Sequence, residues 1–490
     1  MKLLLLVLLL VLGCFKSIAQ VNFIWKEVAP LQQTALVIKQ IGNNYFLSRQ
    51  TRTEATGPYL TNKISKFTQN GILVSTIIFD SGDSSTNTID NFLLLNECEF
   101  LAFGNHKLKD DSLGHLCVIK LDTSLNILWE KLYPINGIAG EKYSVAFYPD
   151  SNILIGTTLL NNTQGSYTKK PFLIQISKYG DSIRSAYLEG GSIYSSFLSD
   201  VIWIKDRFKL FVEGFTIYYP YAGLATIDMD TNLNIIGTKH TPFLFQREKS
   251  AIALNDSVYC FAGMYLSDQN EFQVGITKLS IDEDSLYFNH AGRPGYLPDY
   301  TAYRKCIAVA SPNSIYAGGF ANGLYSCTNI NQKIMLSNYD SLLNCRWTRF
   351  YGGDACYSLG YIEATSDGGC IMAGNYMDPA NIQNDRDIVI MKVDSTGIIT
   401  SKSDFPTFSS HNLTVYPNPG SDFIGIQSGP QITGAEFQLF DPTGCLILET
   451  HLYNTYEQFD MSDNAAGTYF WRLLFKGKLV EQGKWIKINN

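Results

Sequence analysis

The chain has 490 residues, and 45 acidic against 38 basic side chains give a net charge of −7, which leaves no basic face for nucleic acid. Apolar residues make up 45%, with 29 Tyr and 29 Phe, so a large core is available; the low charge and 39 Gly favour strands over helices. After residue 20 no long uninterrupted apolar run occurs, so no transmembrane segment is expected in the mature chain.

The first element is a leader. Lys2 supplies a positive start, residues 3–12 are continuously apolar, and Ser17-Ile18-Ala19 precedes Gln20. This pattern predicts a secretory signal peptide over residues 1–19, with an apolar run too short for a membrane span. Val11-Leu12-Gly13-Cys14 loosely fits a lipobox, though Leu12 is poor at its position. Removing the leader leaves nine cysteines, an odd number, so at least one thiol stays free or pairs between chains. No Cys-x-x-Cys occurs. Cys98 and Cys117 fall on neighbouring predicted strands and are a candidate bridge in an oxidising compartment.

From residue 21 to 405 a glycine step recurs. Phe103-Gly104, Ile155-Gly156, Glu213-Gly214, Ala262-Gly263, Ala317-Gly318 and Ala373-Gly374 follow one another at 49 to 58 residues. A second mark, an apolar strand running into a polar turn, appears seven times, at residues 64–67, 117–122, 173–179, 224–228, 276–279, 335–339 and 388–394. Each unit holds four short strands, for instance 90–95, 99–104, 115–121 and 126–132. Four-stranded units at this period, each too small to bury its own faces, predict a seven-bladed β-propeller over residues 20–405. A string of β-sandwiches is the competitor, but such units run to about 100 residues, roughly twice this period. The glycine steps are expected where neighbouring blades crowd.

Asn22-Phe23-Ile24-Trp25 repeats the pattern of Asn126-Ile127-Leu128-Trp129 and Asn344-Cys345-Arg346-Trp347, both on outermost strands of their units. Residues 22–28 are therefore expected to add an outer strand to the last blade and so remove an open edge; residues 397–401 compete for that place. The repeated Trp are expected to pack between blades.

Residues 406–412 read as a linker, after which alternation resumes. Leu413 and Val415, Ile424 and Ile426, Phe437 and Leu439, and Leu446 and Leu448 each put apolar side chains on one face. Asp441-Pro442-Thr443-Gly444 reads as a turn. Paired short strands over residues 413–490 suit a small Ig-like β-sandwich. Four elements occur in order: Val415-Tyr416-Pro417-Asn418-Pro419; a strand, Asp-x-x-Gly and strand from Leu439 to Leu446; Gly467 and Tyr469 before an apolar strand; and Lys484-Trp485-Ile486-Lys487-Ile488. In this combination the tail resembles the type A C-terminal sorting domain of the type IX secretion system. Cys445 departs from the pattern at a packing position. The resemblance implies recognition by an outer-membrane translocon, with Tyr416, Pro417, Asn418, Pro419, Gly467, Tyr469 and Lys484 as sorting-signal residues. It implies passage through the periplasm and outer membrane, removal of the tail, and attachment to the cell surface or release. An amino-terminal lipid fits poorly with such an address.

The six His (His106, His115, His240, His290, His411 and His451) show no zinc-ligand spacing. There is no Gly-x-Ser-x-Gly elbow and no phosphate-binding glycine loop. Asp228-Met229-Asp230-Thr231-Asn232-Leu233-Asn234 alternates oxygen donors as a calcium loop does but lacks the central Gly and distal Glu; turn and calcium readings both stand. Asp122 to Trp129 is two residues too long for a sialidase Asp-box and only distantly like a quinoprotein repeat. No catalytic, cofactor-binding or metal residue is therefore assigned. The expected role is a secreted or surface binding module for a glycan or protein. The alternative is a glycan-active hydrolase or lyase whose acids, such as Asp90, Asp200 and Asp354, converge from different blades.

Overall fold

The structure, a computed structural model, describes residues 22–399 and 413–488, apart from 28–31, 53–59, 80–85, 108–113, 136–137, 164–165, 189–195, 215–222, 241–244, 268–270, 293–297, 324–331, 378–385, 429–433, 442–444 and 476–477. The expected signal peptide, the linker at 406–412 and most of the turn after Asp441 lie outside the described residues.

Every regular element among the described residues is a β-strand. Between residues 23 and 393 they form seven antiparallel sheets, here numbered in chain order: sheet 1 (33–79), sheet 2 (86–134), sheet 3 (138–187), sheet 4 (196–240), sheet 5 (245–291), sheet 6 (300–351) and sheet 7 (356–393). In sheets 1 to 5 four strands pair in the order in which they follow one another. In sheet 6 the first strand is split into Tyr300–Thr301 and Ile307–Ser311, both paired with Ser314–Ala321. In sheet 7 the fourth place belongs to Phe23–Glu27, whose register runs from Phe23 opposite Lys392 to Glu27 opposite Ile388. Phe23–Glu27 completes the last sheet, as the Asn-x-x-Trp pattern predicts. The place beside Asp387–Val393 is thus not taken by residues 397–399, and 400 and 401 lie outside the described residues.

The first strand of each sheet touches the first strand of the next, from sheet 1 through sheet 7 and back to sheet 1. This closed circuit of contacts is propeller-like. Its physical basis is a recurrent irregularity. The first strands shift register at Ala35/Val37, Ile89/Asn91, Ala139/Tyr143, Leu198/Asp200, Glu248/Ser250 and Leu359/Tyr361, and that of sheet 6 is broken. A bulge releases backbone groups from their own ladder. Here inter-sheet hydrogen bonds cluster around it. Ser48 Oγ donates to Ile89 O (2.7 Å), Asn91 Nδ2 to Tyr143 O (2.9 Å), Val201 N to Ser144 Oγ (2.8 Å) and Ala251 N to Asp200 Oδ2 (2.8 Å). Cys306 N donates to Ser250 Oγ (2.9 Å), Arg304 N to Gly360 O (2.9 Å) and Asn375 Nδ2 to Gln33 O (3.0 Å). All seven junctions are bridged in this way.

The bulges also correct the expectation for the glycine steps. They lie on second strands, but crowding between sheets explains only some of them. A Cβ on Gly156 would meet Leu198 and Val201 of sheet 4, and one on Gly318 would meet Leu359 and Ile362 of sheet 7. At Gly104 and Gly374 the obstacle is the bulged first strand of the same sheet, through Thr88 O and Ser358 O respectively.

After the third strand all seven sheets turn alike. The amide of the first turn residue donates to the carbonyl of the fifth, and the amide of the fourth donates back to the carbonyl of the first. The fourth residue is left-handed in every copy: Gly71, Leu125, Gly180, Leu233, Glu283, Leu343 and Gly397. Where the first residue is Asp, its carboxylate accepts two turn amides, as at Asp122, Asp230, Asp340 and Asp394. Where the fourth residue is Gly, an aromatic ring from the preceding sheet covers it: Phe23 over Gly71, Trp129 over Gly180 and Trp347 over Gly397. Trp347 Nε1 donates to Ser395 O (3.1 Å), Arg349 Nε to Thr396 O (2.7 Å) and Tyr351 OH to Gly397 O (2.9 Å). Lys131 and Tyr133 hold Asp181 and Gly180 in the same manner. Where the fourth residue is Leu, its own buried side chain fills the space.

The tail forms two sheets over one core. One pairs Leu413–Tyr416, Phe423–Ser428 and Tyr456–Asp460; the other pairs Leu446–Leu452, Ala435–Phe440, Gly467–Phe475 and Lys478–Lys487 in that spatial order. Ile424 and Ile426 from the first meet Phe437, Leu439, Trp471 and Trp485 from the second. The expected Cys98–Cys117 bridge is absent: both are free thiols. Cys98 sits in the turn before Glu99, whereas Cys117 stands opposite Gly104, well up the strand pair. Cys356 is disulfide-bonded.

Candidate functional site

Two places gather chemistry: the middle of the circuit and the outer edge of the tail. In the middle, Arg304 of sheet 6 pairs with Asp90 of sheet 2. These sheets are not neighbours, so the ion pair reaches across the space between them. Asp90 also accepts from Thr88 Oγ1 (3.0 Å). Asp200 accepts from Ser144 Oγ, from Val201 N (2.9 Å) and from Ala251 N (2.8 Å), which spends it on joining sheets 3, 4 and 5. Lys305 pairs with Glu363 (2.5 Å) and lies over the Tyr361 ring. Burial pushes the Glu363 carboxyl up, but Lys305 and Lys39 outweigh it and hold Glu363 below the usual glutamate range. Burial lowers the Lys39 ammonium against the opposing pull of Glu363. Asp354 does not join this group. It pairs with Lys26 (2.9 Å) and accepts from Tyr357 OH (2.7 Å), fastening Phe23–Glu27 to sheet 7.

The structure brings together a pair that sequence spacing hides. His106 and His115 stand directly opposite each other on adjacent strands, and burial lowers the His106 pKa. Only the hairpin register could have shown this. Among the described residues no cluster of three or more His, Cys, Asp or Glu is arranged to hold a metal ion. In the sequence 228–234, both Asp230 oxygens accept hydrogen bonds from Asn232 and Asn234.

In the tail the two ends of the motif meet. Asn418 Nδ2 donates to Lys484 O (2.9 Å), and Asn418 Oδ1 accepts from Ile486 N (3.0 Å). Gly420 N donates to Ile486 O (2.9 Å), and Ile488 N to Gly420 O (2.8 Å). Trp485 Nε1 donates to Pro417 O (2.6 Å). Residues 417–420 thus form a strap on the outer edge of the last strand, with the Asn418 amide standing in for a peptide group. Gly467 is paired with Lys487, and the buried Tyr469 donates its hydroxyl to Ala465 O (2.7 Å) while its ring packs on Trp485. Tyr416 stacks on Tyr456 at the surface. Pro419 precedes Gly420 at the end of the strap. Lys484 is exposed.

Residues 414–488 match the family of secretion system C-terminal sorting domains. This sorting domain points to a secreted or cell-surface protein and implies an interaction with the type IX secretion machinery. No curated protein matches the chain. Among solved structures, the β-propeller domain of the Trilobed protease from Pyrococcus furiosus is similar over 78% of this chain and 99% of its own, at 9% identity and a TM-score of 0.42. The polysaccharide lyase Uly1 is similar over 75% and 91%, at 10% identity and 0.42. The acylaminoacyl peptidase of Pyrococcus horikoshii is similar over 82% and 59%, at 10% identity and 0.41. At these TM-scores the likenesses carry no argument about this chain. Among the described residues no helix is long and apolar enough to cross a membrane.

Proposed function

We propose that this chain is a seven-bladed β-propeller carried to the cell surface or the medium by the type IX secretion system, and that the propeller is a non-catalytic binding module for a glycan or protein. In this reading residues 1–19 are a cleaved signal and the Ig-like tail is the outer-membrane address. The observation that carries the binding role is the fate of the central carboxylates. Asp90 is consumed by Arg304 and Thr88, Asp200 by Ser144 and two backbone amides, and Glu363 is kept ionised by lysines. A general acid needs a raised pKa and a free path to substrate. The chain also places its longer connections at one end. Turns between first and second strands span as little as Gly42-Asn43, whereas the second-to-third connection of sheet 6 runs from 322 to 332. Loops gathered on a rigid frame are where ligands are met. The test is a glycan array with the mature chain, alongside incubation with polysaccharides. Binding without depolymerisation is expected, and turnover of any polymer would establish the hydrolase or lyase reading instead.

A further inference from the structure

The outer face of a sheet in a two-layer domain ordinarily turns polar residues to water. The four-stranded sheet of the tail departs from this along one row. Lys484 stands opposite Phe470, Phe470 opposite Phe440, and Phe440 opposite Leu446, so one residue from each of four strands lies on a line across the sheet. Phe470 is 51% exposed and Leu446 48%. The adjoining row is polar and bonded: Arg472 Nε donates to Gln438 Oε1 (2.5 Å), and Gln438 Nε2 donates to Glu449 Oε2 (3.0 Å). That network holds the Arg472 guanidinium 4.8 Å from the Phe440 ring centroid. Among the described residues no carboxylate pairs with the Lys484 ammonium.

We propose that this row is the surface the export machinery reads: a protein groove takes Phe470, Phe440 and Leu446 along its apolar floor and sets a carboxylate against Lys484. This rests on the export reading above. Two large exposed apolar side chains, Phe470 and Leu446, on either side of the half-buried Phe440, in a line that ends in a cation, fit a partner of that chemistry. The approach is to the face and not by strand addition at Lys484–Ile488, because the strap of residues 417–420 already satisfies the outward groups Lys484 O, Ile486 N, Ile486 O and Ile488 N. The sorting motif divides its work accordingly. Asn418 is a positioning residue for the last strand, while Leu446, Phe470 and Lys484, one from each later motif element, are brought into contact with the partner.

The test uses the full chain in a host with the secretion machinery. Phe470→Ser and Lys484→Glu should each lower the exported fraction about tenfold, the loss of one well-packed contact, with melting unchanged because both side chains are exposed. Deleting residues 413–490 is the arm that judges the address itself. If the deletion blocks export while Phe470→Ser and Lys484→Glu export normally, the row is not the reading surface. If the deletion exports normally, the address reading fails. If the purified chain dimerises and Phe470→Ser makes it monomeric without affecting export, the row is a self-association face and the proposal is overturned.

Discussion

At the residue scale, the left-handed leucines show burial overriding backbone preference. An L-residue in that region costs about 1–2 kcal/mol. Leu343 accepts this because its side chain is 1% exposed in the core shared by sheets 5, 6 and 7. Leu343→Ala is expected to cost about 2–5 kcal/mol, the range for deleting a buried leucine. Leu343→Gly should cost about 1 kcal/mol less despite removing one more carbon, because glycine relieves the strain. Chemical denaturation of the two variants checks the order. A second residue-scale test concerns Lys392, which is fully buried and donates to Asp367 Oδ2 (2.9 Å) and Val393 O (2.9 Å). Burial pushes the Asp367 carboxyl up, but hydrogen bonds from Thr365 and Lys392 outweigh it and hold Asp367 below its ordinary value. A depressed carboxylate pKa contributes stability that is complete above the unfolded value of about 3.9 and is lost as pH falls through the folded value. Melting should therefore drop steeply below about pH 4. Asp367→Asn should be less stable at neutral pH by about 3 kcal/mol, as for one partner removed from a buried pair, and should flatten the acid limb.

At the element scale, the space between each turn and the preceding sheet is filled in alternative ways. Trp129 and Trp347 cover a glycine, whereas Leu125, Leu233 and Leu343 fill the gap from the turn itself. The two solutions exclude each other at one site, since a Cβ on Gly397 would lie 2.7 Å from the Trp347 ring. Gly397→Leu alone and Trp347→Ala alone should each destabilise, the latter by about 2 kcal/mol because the ring is half-exposed. The double variant should lose less than the sum, and a double-mutant cycle measures the coupling. The sequence displays only one side of this arrangement. Asn126 to Trp129 and Asn344 to Trp347 are visible as a repeat, but the covered glycines lie about 50 residues further on, in another sheet. The same limit explains the glycine steps. Their period is legible, yet the bulges opposite Gly104 and Gly374 depend on strand register, which no periodicity encodes. Strand adjacency alone suggests a Cys98–Cys117 bridge, and register again decides against it.

At the scale of the whole molecule, the recurring turn mark at seven places and the Asn-x-x-Trp start were enough to anticipate seven sheets and a first strand that joins the last. The tail was legible because its motif is local in each element, although the meeting of Asn418 with Lys484 and Ile486 needed the fold. The middle of the circuit was not legible. Asp90 and Asp200 do reach inward, but their partners Arg304, Ser144 and Ala251 come from other sheets at separations of 214, 56 and 51 residues. Closure is where these scales meet, because Phe23–Glu27 pairs as a strand with the last sheet, and it carries Trp25 onto Phe67 and Lys26 onto Asp354. The direct measurement is thermal melting of a chain that begins at residue 20 against one that begins at residue 30. A large fall in melting temperature is the predicted result, with sheet 7 left with an open edge; equal melting would contradict a circuit held shut by its first strand.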